Sequence, residues 1–151
     1  MSTMAYSWLL IDRAFFVRWK KLEVASLDKI LHDLGNARRG SALPMIYVSI
    51  TPEDLAVPSG AERAALNEFA LKAKDLCEAV HLVIEGDRFK HSIQRTALTS
   101  IMFLSQRNSQ VQTLIHKQLD DAINLVAPKV GRRPEDIQRA LKARGFIDGT
   151  C

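Results

Sequence analysis

Cysteine is scarce in this chain. Only Cys77 and Cys151 occur among 151 residues, one in mid-chain and one last. Such a pair makes no disulfide framework. Cys77 reads as a small buried hydrophobe in a helical pattern, and Cys151 as an exposed terminal thiol. No Cys-x-x-Cys or Cys/His spacing is present, so the sequence offers no zinc site. Long apolar runs are missing too, and none approaches the ~20 residues that span a bilayer. The first run, Trp8-Leu9-Leu10-Ile11, stops at Asp12 and has no basic start. No secretory leader is expected, and a cytoplasmic location follows. Glycine-rich phosphate loops, Gly-x-Ser-x-Gly and His-Glu-x-x-His are absent, as are internal repeats and low-complexity stretches. The four histidines, His32, His81, His91 and His116, fall on separate elements with no carboxylate or thiol at ligand spacing. Packing or surface roles are expected of them rather than metal or acid–base chemistry. Neither a cofactor nor a catalytic activity is expected.

The apolar fraction of 47% and charged fraction of 25% are those of an ordinary globular domain. A chain of this length buries roughly 70% of its unfolded surface, so one core without staples suffices. The net charge is +4. From Lys129 onward six cations face three acids, so most of the surplus sits in the C-terminal stretch. That stretch has no interleaved aromatics and no reading module. A solvated face or a protein contact is therefore favoured there over nucleic acid. Its one apolar stripe, Ile137, Ala140 and Leu141, is too small for a membrane-surface helix.

Four short apolar runs alternate with amphipathic segments: Phe15–Lys20, Met45–Ile50, Val80–Glu85 and Val111–His116. This order predicts an α/β domain with a mixed sheet of about five strands covered by about four helices. Tyr6–Ile11 and Phe15–Lys20 read as an antiparallel hairpin turning near Asp12-Arg13. In the second strand Phe15, Val17 and Trp19 share one face, and Phe16 lies on the other. One of those faces leaves an aromatic exposed unless helices cover both. Ser26 reads as the cap of a first helix with Leu27, Ile30, Leu31 and Leu34 as its stripe. Met45–Ile50 is apolar throughout, as a strand covered on both faces would be. Two prolines keep Thr51–Pro58 a loop.

Ser59 and Glu62 then stand at capping-box spacing. They open a helix of about twenty residues, the longest element expected, with Leu66, Phe69, Ala70, Ala73, Leu76, Cys77 and Val80 inward. A third helix is expected from about Ser92 to Ser105 and a fourth from Lys117 to Ala127, stopped by Pro128. A short helix follows Pro134, closed by Gly145. It must dock on the domain, dock on a partner, or fray.

This element order resembles the STAS domain, the fold of bacterial anti-sigma-factor antagonists and of the cytoplasmic domains of sulfate transporters. The likeness runs from about Tyr6 to Ala127. Residues 1–128 then form the STAS-like domain, and residues 129–151 a basic linker with a C-terminal helix and tail. In that family an Asp-Ser-Ser-Gly turn follows a central strand, and the serine beside the glycine is phosphorylated by a partner kinase. Here Met45–Ile50 leads into Val57-Pro58-Ser59-Gly60, with Val57 in place of the aspartate and Pro58 in place of the first serine.

The resemblance implies a non-enzymatic, regulatory protein-interaction module. Its partner would be a regulator or kinase-like anti-sigma factor, and the docking surface would include Glu53, Asp54, Leu55, Pro58, Gly60 and Arg63. Two roles stand open for Ser59: plain helix cap, or phospho-acceptor at a helix N-terminus that favours anions. Ser92 carries the same two roles. The alternative function is a carrier of an apolar small molecule or lipid between helices and sheet. A homodimer is also left open.

Overall fold

The computed structural model describes residues 5–52, 59–86 and 111–146. Five strands form one sheet: β1 (Tyr6–Ile11), β2 (Ala14–Trp19), β3 (Met45–Thr51), β4 (Cys77–Ile84) and β5 (Gln112–His116). Their spatial order is their chain order, β1-β2-β3-β4-β5. β1 and β2 are antiparallel, and every later pair is parallel. The expected α/β architecture, with its N-terminal hairpin and mixed sheet, is the architecture observed. The hairpin turns on Asp12 and Arg13, with Ile11 opposite Ala14. Asp12 sits at φ 53°, a left-handed conformation that aspartate tolerates better than most side chains.

The helices are α1 (Val24–Arg39), α2 (Gly60–Lys74), α3 (Leu119–Val126) and α4 (Pro134–Ala143), with a 3-10 turn at Ala127–Val130 between the last two. They cover both sides of the sheet. On one side Phe15, Val17, Trp19, Met45 and Tyr47 pack against Leu27, Ile30 and Leu34 of α1 and Phe69 and Ala73 of α2. On the other side Phe16, Ile46, Val48, Ile50 and Val83 meet Ala122, Ile123 and Val126 of α3 and Ile137 and Leu141 of α4. This two-sided cover resolves the conflict posed by β2. Phe15, Phe16 and Val17 are each 0% exposed. Trp19 keeps its indole N–H satisfied inside the core by donating to Ser49 Oγ at 3.1 Å, as buried polar groups require.

Three expectations are corrected. Ser26 does not cap α1. The N-cap is Glu23, without a side-chain bond, and Ser26 is buried one turn inside. Its amide donates to Glu23 O at 3.0 Å, so the helix is already under way there. Nor does α2 run on to Val80. It ends at Lys74, and Cys77 through Val80 belong to β4. The Met45 amide donates to Leu76 O at 2.9 Å and draws the chain into the sheet at that point. Residues 76–80 are apolar enough for either element, and the two-faced sheet buries them better. Cys77 is therefore a buried strand residue. Third, α1, with 16 residues, is longer than α2, with 15.

The C-terminal helix docks on the domain. Ile137 and Leu141 are fully buried, and Phe146 is 2% exposed. Gly145, at φ +77°, makes that last burial possible. Its left-handed turn lets the Phe146 amide donate back to Leu141 O at 2.8 Å and swings the ring under α4.

At the amino end of the parallel strands, Arg13 gathers distant segments. Its guanidinium donates to Pro44 O at 2.9 Å and to Lys129 O at 3.2 Å, and it pairs with Glu78.

Candidate functional site

The head of α2 is built by its own sequence. Ser59 has extended backbone (φ −67°, ψ 172°), and its Oγ accepts from the Glu62 amide at 3.2 Å. Glu62 answers with Oε1, which accepts from the Ser59 amide at 2.8 Å. Both halves of the expected capping box are thus formed. Ser59, Gly60 and Arg63 are all exposed. A Cβ at Gly60 would meet nothing within 4 Å, so the space beside Ser59 is open.

The fold also fixes where this head lies. Leu76, just past α2, sits beside Met45 at the amino end of β3. Fifteen helical residues rise about 22 Å, close to the length of β3. Ser59 therefore stands toward the carboxyl end of the sheet, the edge at which open α/β sheets hold their ligands. Glu53, Asp54, Leu55, Pro58 and Ser92, the other residues that the sequence singles out, lie outside the described residues.

A second cluster was not legible as such. His81 on β4 and His116 on β5 stack at 5.2 Å between ring centroids, with 16° between planes. His81 Nδ1 and His116 Nε2 are 2.9 Å apart and share a hydrogen bond. His81 is 1% exposed, and its Nε2 has no partner among the described residues. Burial, the neighbouring His116 and the charge of Lys129 push its pKa down to about 4. Burial lowers His116 as well, while Asp121 pulls it the other way. The pair is therefore neutral at physiological pH. Each histidine reads as ordinary in its own strand. The missing signal is register: His81 lies opposite Leu114, which puts His116 two residues on and on the same face.

Other buried ionisable groups are held protonated. Burial raises the Tyr47 phenol well above its usual range and pushes the Cys77 thiol up to about 12. Among the described residues, no group of three or more metal-ligating side chains converges. Nor is any helix among them long and apolar enough to cross a membrane. A surface groove of about 750 Å³ is lined by Asp12, Val130, Gly131, Arg132, Arg133 and Asp136. Its charges are paired across it: Arg132 donates to Asp12 at 2.7 Å and Arg133 to Asp136 at 3.3 Å. This groove lies on the surface, between the hairpin turn and the start of α4.

Comparison of the chain with family models, with curated proteins and with solved structures gives no match.

Proposed function

We propose that this chain is a non-enzymatic regulatory module of STAS type that docks a protein partner at the head of α2, with Ser59 as the phospho-acceptor. The observation that carries the reading is the exposed Ser59 hydroxyl at a fully formed capping box beside an unobstructed glycine. The strand and helix order, with its leading hairpin, supports the same reading.

The chemistry follows from what surrounds the oxygen. A phosphate on Ser59 brings roughly −2 charge to the positive end of a helix, where the first backbone amides receive it. The same charge repels the Glu62 carboxylate, now hydrogen-bonded to the Ser59 amide. Glu62 swings out, the phosphate takes over the cap, and the surface around Gly60 and Arg63 changes sign. The helix stays formed while its partner surface switches. A regulator or kinase-like anti-sigma factor is the class of partner that would use such a change.

The test is phosphate mapping by mass spectrometry on the chain isolated from its native cell, combined with partner capture by Ser59→Asp and Ser59→Ala variants. The expected result is phosphate on Ser59 and a different set of bound proteins for the two variants. Identical sets for both variants, with no phosphate at Ser59, would refute the switch.

A further inference from the structure

The side chains of His81 and His116 join β4 to β5 through a single hydrogen. His81 Nδ1 and His116 Nε2 stand 2.9 Å apart. At that separation one hydrogen fits between the nitrogens, whereas two would lie about 1 Å from each other. One ring therefore donates and the other accepts. A neutral imidazole carries a single N–H, so this choice fixes where both rings keep their hydrogens.

Burial makes the choice. His81 is 1% exposed, and its second nitrogen, Nε2, has no partner among the described residues. If His81 accepted at Nδ1, its hydrogen would sit on Nε2 as a buried donor with nothing to receive it. If His81 donates from Nδ1, Nε2 is left as a bare lone pair. An orphaned N–H is the rarer of the two in folded proteins. Besides burial and His116, the charge of Lys129, on the 3-10 turn, acts on His81, and it too favours a lone pair over an N–H. His81 therefore donates from Nδ1. His116 accepts at Nε2 and keeps its own hydrogen on Nδ1. In this state one lone pair of the pair is sealed in the core with His81, and the other is engaged in the bond.

A proton arriving from solvent then has one place to go. His116 is only partly buried, and its basic nitrogen is Nε2. Filling that position while the rings stay at 2.9 Å sets two N–H groups face to face. We propose that the pair is an acid-released latch between β4 and β5: His116 takes up a proton only by giving up His81, and its ring then turns to Asp121 on α3. The surrounding charges agree. Asp121, in the first turn of α3, is the acid that acts on His116. Lys129 opposes a proton on His81, so His81 stays neutral while His116 titrates. Burial already holds His116 below the ordinary histidine range, and the bond that must be given up holds it there further. The end of β5 thus passes from a side-chain bond within the sheet to an ion pair with the helix that follows it. The latch involves neither Ser59 nor α2, so it stands or falls apart from the function proposed above.

Long-range proton–nitrogen NMR of the 15N-labelled full chain reads the hydrogen on each ring nitrogen. At about pH 7.5 both His81 and His116 should carry hydrogen on Nδ1. As the pH is lowered to about 5, His116 should gain a proton on Nε2, and the His81 Nδ1–H signal should leave its bonded position at the same midpoint. His81→Phe removes the bond and should raise the His116 midpoint by about half a pH unit or more. Asp121→Asn removes the attracting charge and should lower it. The wild-type signals need no variant, so the test holds even where His81→Phe folds poorly. Hydrogen on Nε2 of His81 at neutral pH, a His116 that titrates while its bond to His81 persists, or a midpoint that either substitution leaves in place overturns the proposal.

Discussion

Acid should unfold this protein earlier than its carboxylates alone dictate, and His81 is the reason. In the folded chain the ring is 1% exposed and its pKa is about 4. In the unfolded chain it returns to the ordinary value near 6.5. Between those two pH values the unfolded state binds a proton that the folded state refuses, so stability falls as pH falls. Each pH unit in that window is worth about 1.4 kcal/mol per group, and the window spans about 2.5 units. The contribution is fully present above about pH 6.5, and about 3 kcal/mol of it is gone by about pH 4. His116 shifts in the same direction and adds to the loss, partly offset by Asp121. The perturbation that isolates the effect is His81→Phe. A phenyl ring keeps the shape and the stack on His116, takes up no proton, and removes the unpartnered Nε2. Urea unfolding at about pH 7, 6, 5 and 4, followed by tryptophan fluorescence and circular dichroism, reads the difference. Wild type should lose about 3 kcal/mol more than the variant across that range. Carboxylates, such as Asp136 with its partner Arg133, are common to both proteins and cancel. Equal losses in wild type and variant would refute a buried, neutral His81.

Two further outcomes are expected. Leu141→Ala, at a fully buried position of α4, should cost about 2–5 kcal/mol in a urea titration, which marks the C-terminal helix as part of the core and not a tail. In a Cys151→Ser background, the Cys77 thiol, raised to about 12 by burial, should react with Ellman's reagent only as fast as the chain opens. Its labelling rate should then rise with urea along the unfolding curve.

The fold was legible where a residue's neighbours in sequence are also its neighbours in space. Alternation in Phe15–Trp19 marked a strand, the Leu27/Ile30/Leu34 spacing marked a helix, and Ser59 with Glu62 marked a helix start. All three patterns are local. The α2–β4 boundary was not legible, because Leu76 to Val80 satisfy a helical stripe and a buried strand alike. Only the bond from Met45 to Leu76, 31 residues apart, decides between them. The start of α1 was misplaced for a related reason: Ser26 suits a cap, but a buried position one turn later claimed it. The narrow stripe of Ile137, Ala140 and Leu141 was visible, whereas the surface it covers was not. The histidine pair depends on strand register, which no single segment encodes. The candidate site at Ser59 could be found because a capping box is written in four consecutive residues.

Because each strand pairs with the one that precedes it in the chain, the sheet can be laid down in order as a ribosome delivers it, with little loop closure at each addition. Its two sides, however, do not close together. α1 and α2 arrive between the strands they shield. Among the described residues, those that cover Phe16, Ile46, Val48 and Val83 from the other side, on α3, α4 and at Phe146, come only after β5. Burial of that side of the sheet therefore depends on the segment from Leu119 to Phe146 reaching its place, and so does the protection from aggregation that the burial gives.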